Sequence, residues 1–204
     1  MNDATPPAVD PPGVVVGPDG IARCPWAAGP ELMTDYHDLE WGQPVHGEQA
    51  LFERISLEGF QAGLSWRTVL VKRPAFRTAF ADFDPEVVAG LSDHRLDELM
   101  NDPGIIRNRA KIVATRSNAR AVLALRAHGG LDEFVWSRRP PQVPAPKSQA
   151  EVATRSDASA AFARDLRRVG IKFIGPTSAY ALMEAVGMID THLVGCHRRG
   201  MTAD

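Results

Sequence analysis

The apolar residues of this chain recur at helical intervals from Arg23 onward, and no convincing strand pattern of alternating apolar and polar residues appears. Leu51, Phe52, Ile55 and Leu64 form one such apolar stripe, which is typical of a helix that packs against a core. The pattern predicts an all-α bundle whose helices are joined by short connections.

Residues that begin or end helices divide this pattern into segments. Trp66 to Lys72 continues the first stripe until Pro74, which predicts a break there. The longest helix is expected from Arg107 to Ala127, and residues 137–150, which are rich in proline, are expected to form a surface loop. Further helix starts are predicted at Asp84, Ser92, Ser156 or Asp157, and Gly175.

The first 20 residues hold five prolines and three glycines and predict a disordered leader, followed by one domain over residues 21–204. The first basic residue is Arg23, so the start of the chain lacks the positively charged region of a signal peptide. No apolar stretch is long enough to span a bilayer. We therefore expect a cytoplasmic protein without a membrane partner.

Charge is distributed unevenly although the net charge is only -2. Residues 31–60 contain seven acidic side chains and one arginine, whereas residues 105–126 contain six basic side chains and no acid. A basic run of this kind is often a solvated helix face, but it also suits a nucleic-acid backbone.

The two cysteines lie near opposite ends of the chain, and each has a histidine nearby. Cys24 precedes His37 by 13 positions, and His192 precedes Cys196 by four, which would place the last two on one helix face if Thr191 to Cys196 is helical. Two thiolates and two imidazoles complete a tetrahedral zinc shell, which would join the termini without catalysing a reaction. Two buried thiols with ordinary histidines, or a disulfide, are the alternatives.

Residues 99–112 read LMNDPGIIRNRAKI, which predicts a helix, a Pro-Gly turn and a second helix. The arrangement resembles the helix-hairpin-helix element of DNA repair enzymes. Backbone N–H groups at Gly104 and the helix N-terminus would bind a phosphate, and Arg107 and Arg109 would add charge. The same pattern also joins ordinary antiparallel helices.

Glu58 is the most unusual helix position because it lies in line with the apolar stripe. A carboxylate on a buried face is costly unless it is paired, so Glu58 is either a salt-bridge or capping residue or part of a pocket. Trp26, Tyr36 and Trp66 could line such a pocket, although aromatic residues are more often core. An acid among aromatic rings suits a flat cationic heterocycle.

Four segments resemble the 3-methyladenine DNA glycosylase I family, and together they cover the chain in order from about Arg23 to Cys196. They are TDYHDLEWGQP at residues 34–44, LFERISLEGFQAGLSW at 51–66, DPGIIRNRAKI at 102–112 and KFIGPTSAYALMEAVGMIDTHLVGC at 172–196. The resemblance implies a helix-hairpin-helix glycosylase fold with one structural zinc, held by Cys24, His37, His192 and Cys196.

The same resemblance implies an enzyme that flips 3-methyladenine out of alkylated double-stranded DNA and hydrolyses its glycosidic bond. The implied base pocket is Trp26, Tyr36, Glu58 and Trp66, with Met33 where some members have a second tyrosine. Glu58 is the expected catalytic residue, and Asp190 is a second candidate whose alternative role is a helix N-cap.

We also expect a monomer. The enzyme is not expected to cut the DNA strand, because Asn108 stands where strand-cutting relatives carry a lysine. Two other classes remain open. One is a DNA-binding module held together by zinc and without activity, and the other is a helical metallohydrolase whose zinc keeps an open position for water.

Overall fold

The computed structural model describes residues 13–141 and 143–201, and within them nine α-helices account for most of the regular structure. The helices are α1 (Glu31–Leu39), α2 (Glu48–Gln61), α3 (Trp66–Ala79), α4 (Pro85–Ala89), α5 (Asp93–Leu99), α6 (Arg109–Leu125), α7 (Gly130–Trp136), α8 (Asp157–Arg168) and α9 (Pro176–Ala185). The all-α prediction is confirmed. Among the described residues, no helix is both long and apolar enough to cross a membrane.

Two short strands precede the helices. β1 (Val15–Val16) pairs antiparallel with β2 (Ala22–Arg23). The predicted disordered leader is therefore wrong over residues 13–20, where Val14 packs against the small apolar cluster of Cys24, Leu193 and Cys196. Residues 1–12 of that predicted leader lie outside the described part of the chain.

Side-chain caps determine where five of the helices begin. In each case an oxygen accepts a hydrogen bond from a backbone N–H two or three residues later, which satisfies a donor that the helix leaves free. The capping residues are Ser65, Asp84, Ser92, Asn108 and Ser156. The starts predicted at Asp84, Ser92 and Ser156 are confirmed. The longest helix starts at Arg109 and not at Arg107, because Asn108 is its cap.

Two local predictions are wrong. Pro74 does not break α3, because Phe76 and Ala79 beyond it are buried in the core and hold the helix in place. Thr191 to Cys196 is not helical. There the N–H of Val194 donates to the Pro146 carbonyl at 2.8 Å, and Gly195 has a φ of 87°, which a right-handed helix does not allow.

Helix α2 is the centre of the fold. All ten residues from Leu51 to Phe60 are buried, and α2 packs against α3, α6, α7 and α9. Two of its charged residues are paired: Glu53 accepts from Arg73 at 2.7 Å, and Arg54 donates to Glu40 at 2.7 Å. These pairs compensate for the cost of burying charge.

Two lysines connect the turn between α5 and α6 to the core. Lys111, in the first turn of α6, donates to the carbonyls of Phe60 and Ala62 at 2.9 and 3.0 Å, where α2 ends. Lys72 on α3 donates to the carbonyl of Pro103 at 2.7 Å. Burial lowers the pKa of Lys111. The start of α6 is therefore tied to the end of α2.

Candidate active site and metal centre

A cavity of about 410 Å³ lies between α1, α2, the start of α3 and α9. The loop at residues 149–154 forms another side of it. Its lining residues include Cys24, Trp26, Met33, Tyr36, Trp41, Glu58, Gln61, Trp66, Thr177, Tyr180, Glu184 and Thr191. The cavity therefore contains all four residues that the sequence places in a base pocket.

Aromatic rings form much of the cavity wall. The ring centroids of Tyr36 and Trp66 are 5.5 Å apart at an interplanar angle of 47°, and those of Trp26 and Tyr36 are 6.4 Å apart at 52°. Tyr36 is buried, and burial raises the pKa of its phenol. The indole Nε1 of Trp66 is buried without a hydrogen-bond partner in the described residues. These faces can stack on a flat ring.

Glu58 lines the cavity from the last turn of α2. The residue is 3% exposed, and its Oε2 is buried without a hydrogen bond in the described residues. Burial raises the pKa of Glu58 to about 8, with a further contribution from Glu184, and Arg54 opposes the shift. The capping or salt-bridge alternative for Glu58 is wrong for the described residues. Its carboxyl group is available to a ligand.

Glu184 is a second cavity acid, and sequence reasoning missed it. It lies near the end of α9, and its Oε1 accepts a hydrogen bond from the Thr191 hydroxyl at 2.5 Å. Burial raises the pKa of Glu184 to about 7, although the Thr191 bond acts in the opposite direction. Glu184 follows Tyr180 by four residues, so both lie on one helix face, but this spacing alone does not distinguish a cavity acid from a surface acid.

Potential metal ligands from both ends of the chain meet beside this cavity. The ligand atoms of Cys24, His37 and Cys196 all lie within 4.8 Å of one another, and Cys196 Sγ is 3.4 Å from His37 Nε2. His192 lies outside that set, but its ring centroid is 5.2 Å from that of His37. The two cysteines are free thiols and not a disulfide.

Carboxylates orient both histidine rings. Asp38 lies 2.7 Å from His37 Nδ1, and Asp190 lies 2.8 Å from His192 Nδ1. This arrangement leaves each Nε2 free to bind a metal, and His192 Nε2 is buried without a partner in the described residues. The hydrogen bond from Cys24 and the contact with His37 lower the pKa of Cys196, which favours the thiolate that binds metal.

Asp190 does not cap a helix, because residues 191–201, the described part of the chain after it, contain no helix. Its Oδ1 accepts from the N–H of His192 at 3.0 Å, and its Oδ2 accepts from the N–H of Gly200 at 2.9 Å. Burial acts against ionisation, but hydrogen bonds from His192 and Gly200 lower the pKa of Asp190 to about 2. Asp190 is not among the residues that line the cavity, so it positions His192.

The turn between α5 and α6 is tight, and the Gly104 N–H predicted to bind a phosphate has a partner within the protein. The N–H of Gly104 donates to the Asp102 carboxylate at 2.7 Å, so it is not available to a phosphate in this conformation. A Cβ on Gly104 would lie 2.8 Å from Ala75 Cβ, so the turn needs glycine for close packing on α3.

Backbone donors beyond this turn are available instead. The N–H groups of Ile106, Arg107, Arg109 and Ala110 make no hydrogen bond within the described residues. Arg107 is exposed without an ion pair in that part of the chain, whereas Arg109 pairs with Asp97.

Comparison with known proteins identifies the family. The sequence model of the family described as methyladenine glycosylase matches residues 26–199. The chain belongs to the methyladenine glycosylase family. It is 44% identical to the DNA-3-methyladenine glycosylase 1 of Escherichia coli over 179 residues, which cover 86% of this chain and 96% of that protein. The DNA-3-methyladenine glycosylase of Haemophilus influenzae is 43% identical over 177 residues, 85% of this chain and 96% of that protein.

Solved glycosylase structures have the same fold. A crystal structure of 3-methyladenine DNA glycosylase I superposes with a TM-score of 0.83 at 43% identity, over 86% of this chain and 98% of the other. A tyrosine-to-phenylalanine variant of such an enzyme, in complex with 3-methyladenine, has a TM-score of 0.83 at 33% identity, over 89% and 99% of the two chains.

Met33 also lines the cavity of this glycosylase. A thioether packs well on a flat ring but donates no hydrogen bond. Hydrogen bonds from the cavity wall to a bound molecule therefore depend on other lining residues, including Glu184.

Glu58→Gln should stabilise the ligand-free protein at alkaline pH. The pKa of Glu58 is raised from 4.5 to about 8 in the folded state, so ionisation of Glu58 costs stability progressively as pH rises through that window. We expect a gain of at least about 1.4 kcal/mol at about pH 9, the equivalent of one pKa unit, and a smaller gain at about pH 5. Thermal or urea denaturation at both pH values measures it.

The exposed Glu133→Gln variant on α7 is the matched control and should show no comparable dependence on pH. A gain for Glu58→Gln that is equal at both pH values would contradict the burial of its charge.

Proposed function

We propose that this chain is a DNA glycosylase that releases 3-methyladenine from alkylated double-stranded DNA by hydrolysis and does not cut the strand. The observation that carries the proposal is Glu58, a buried carboxyl group with an unpartnered oxygen among aromatic rings. Membership of the methyladenine glycosylase family and the 3-methyladenine named in a related structure support it.

The cavity chemistry matches the damaged base. Adenine methylated at N3 is cationic while it is attached to deoxyribose, so it gains from the faces of Tyr36 and Trp66 and from the negative charge of Glu58. The nucleotide must leave the duplex to reach such a cavity, and a lesion that weakens pairing lowers the cost of extrusion.

The cationic base makes bond cleavage easier. When the bond between the sugar C1′ and the base N9 breaks, the electron pair goes to the base, which leaves neutral. Water adds to C1′ and releases a proton. Glu58 can orient this water or stabilise the oxocarbenium-like sugar, as carboxylates do in other glycoside hydrolyses. Strong acid catalysis of base departure is therefore unnecessary.

Base release without strand cleavage agrees with the side chains near the turn. A lyase step requires a free lysine amine that attacks the sugar. Asn108 occupies the expected position and caps α6, and the nearby Lys111 amine donates to two carbonyls at the end of α2.

One structural zinc per chain would bind Cys24, His37, His192 and Cys196. The unpartnered Nε2 of His192 and the two histidine rings oriented by carboxylates support this ligand set. Four protein ligands leave no position for a reactive water, so the ion would hold the two ends of the domain together. The metallohydrolase alternative would need one of the four ligands to be absent.

Helices α5 and α6, with the turn between them, would bind the DNA backbone as a helix-hairpin-helix element. Free N–H groups at the start of α6, together with Arg107, support a phosphate contact that does not read sequence. Three expectations stay predictions: that the protein is a monomer, that it is cytoplasmic, and that its DNA substrate is double-stranded.

Glu58→Gln should abolish most 3-methyladenine release, because it keeps the shape of the side chain and removes its charge. We expect a loss of about 100-fold or more in single-turnover release from methylated duplex DNA, comparable to removing an electrostatic catalytic group. Asp190→Asn is the matched control, and it should retain release when zinc is supplied. No release by the unaltered protein would favour the non-catalytic DNA-binding alternative.

Protein purified without added zinc should contain one zinc per chain, because thiolate and imidazole ligands hold the ion tightly. Cys24→Ser and His192→Ala should each lose it, and Asp190→Asn should bind it about 10- to 100-fold more weakly because the His192 ring loses its orienting partner. Metal analysis and competition with a chelator measure these changes. Full zinc content in both ligand variants would refute the assignment.

Arg107→Ala should weaken binding to damaged and undamaged duplexes alike and reduce the salt dependence by about one counterion. Arg109→Ala should have a smaller effect, because Arg109 is paired with Asp97. Arg95→Ala, an exposed arginine on α5 that pairs with Glu98, is the control. A change in base preference with an unchanged salt slope would contradict a backbone contact.

A further inference from the structure

The base cavity contains two carboxyl groups that come from different helices. Glu58 lies in α2 and Glu184 in α9, and these helices pack directly against each other. Negative charge on Glu184 raises the pKa of Glu58, so the two groups are close enough to repel each other. The residues that line the cavity in the described part of the chain include no lysine, arginine or histidine.

Glu184 is held in a defined orientation. The Thr191 hydroxyl donates to its Oε1 at 2.5 Å, and Thr191 is itself buried and lines the cavity. The other oxygen of Glu184 makes no hydrogen bond within the described residues, and the side chain lines the cavity. One oxygen is therefore fixed by the protein, and the other is available to a bound molecule.

We infer that Glu184 is a second specificity-determining residue, which acts with Glu58 to select cationic alkylated purines over neutral bases of the same shape. This inference rests on the proposed glycosylase function. It concerns the choice of base, whereas Glu58 is the residue assigned to the chemistry.

The physical reason is repulsion between like charges in a poorly solvated space. Two carboxylates in one cavity destabilise each other, and a cation placed against both relieves that cost, whereas a neutral base does not. With burial raising the pKa values of Glu58 and Glu184 to about 8 and about 7, the empty cavity retains protons near neutral pH. A bound cationic base supplies the positive charge that these protons otherwise provide to Glu58 and Glu184.

Other titratable groups around the two acids do not supply this positive charge. Tyr36 on α1 and Tyr180 on α9 line the cavity, and burial raises the pKa of each. Arg54 on α2 opposes the rise of the Glu58 pKa, but it donates to Glu40 and does not line the cavity. Arg73 on α3 donates to both Glu40 and Glu53.

The remaining neighbours add no cation either. The loop side of the cavity, at residues 149–154, contributes Gln149, Val152, Ala153 and Thr154, which are uncharged. The thiol of Cys24 also reaches the lining. Helix α8 packs on α9, but its charged residues do not contribute to the shift of the Glu184 pKa.

Glu184→Gln tests the inference, because glutamine keeps the size of the side chain and can still accept from Thr191. Two substrates are compared. One is a duplex with 3-methyladenine, which is cationic on the sugar, and the other is the same duplex with 3-deaza-3-methyladenine, a neutral base of the same shape. Single-turnover release is measured for the first, and affinity as a competitor for the second.

At about pH 9 we expect release of 3-methyladenine to fall about tenfold, since contacts with an ionised partner are about twice as strong as neutral ones. Affinity for the neutral duplex should stay unchanged. The acid limb of the release profile should move to lower pH, because Glu58 loses a negative neighbour that raises its pKa. Zinc content and thermal denaturation check that the variant is folded.

Thr191→Val provides a second variant, which keeps the Glu184 charge but removes the hydroxyl that orients it. It should reduce release of 3-methyladenine by about threefold, the loss of one hydrogen bond of modest strength, without changing the neutral competitor. If Glu184→Gln does not fold, this comparison still tests the inference.

Unchanged release and an unmoved pH profile in both variants would overturn the role of Glu184 while leaving the glycosylase function intact. A loss of affinity for the neutral duplex as large as the loss of release from the charged duplex would also overturn it and assign Glu184 to packing. Failure of the unaltered protein to release 3-methyladenine would instead refute the proposed function itself.

Discussion

Helix α2 is buried from Leu51 to Phe60, so a charged side chain in this stretch must be paired or must face a cavity. Glu53 and Arg54 meet this condition through ion pairs with neighbouring elements. Glu58 has no such pair in the described residues and faces the cavity instead. Burial of a carboxylate without compensation is expensive. The preference for a cationic base that we propose for the cavity follows from this one desolvated group.

The cavity and the proposed metal site share some of their residues. Cys24 contributes to both, and Trp41 lines the cavity while its ring lies 4.5 Å from that of His192. Thr191 contacts Glu184 and directly precedes His192. A structural ion at this place would therefore fix two sides of the cavity as well as the ends of the domain.

Much of this arrangement could be predicted from sequence where the signal is local. Helix starts at Asp84, Ser92 and Ser156 follow from capping chemistry, and Glu58 stands out because it interrupts an apolar stripe. The other three pocket residues in the cavity are implied by the family resemblance, because the pattern alone does not separate pocket aromatics from core aromatics.

Features that depend on distant contacts could not be predicted. Glu184 looks like an ordinary surface acid near a helix end until α9 is packed against α2. Aspartate is a residue type that often caps helices, but the chain after Asp190 turns at Gly195. The carboxylate oxygens of Asp190 therefore accept from the N–H groups of His192 and Gly200 instead. The Gly104 amide is taken by Asp102, a competition that residue spacing alone does not reveal.

The contacts of Lys111 have a consequence for how a nucleotide could reach the cavity. This side chain donates from the first turn of α6 to two carbonyls at the end of α2, so direct hydrogen bonds connect the proposed DNA-backbone contact to the helix that carries Glu58. The cavity and the start of α6 therefore lie at a set distance from each other in this structure. If duplex DNA binds at the start of α6 as proposed, the DNA itself has to deform for a base to reach the cavity.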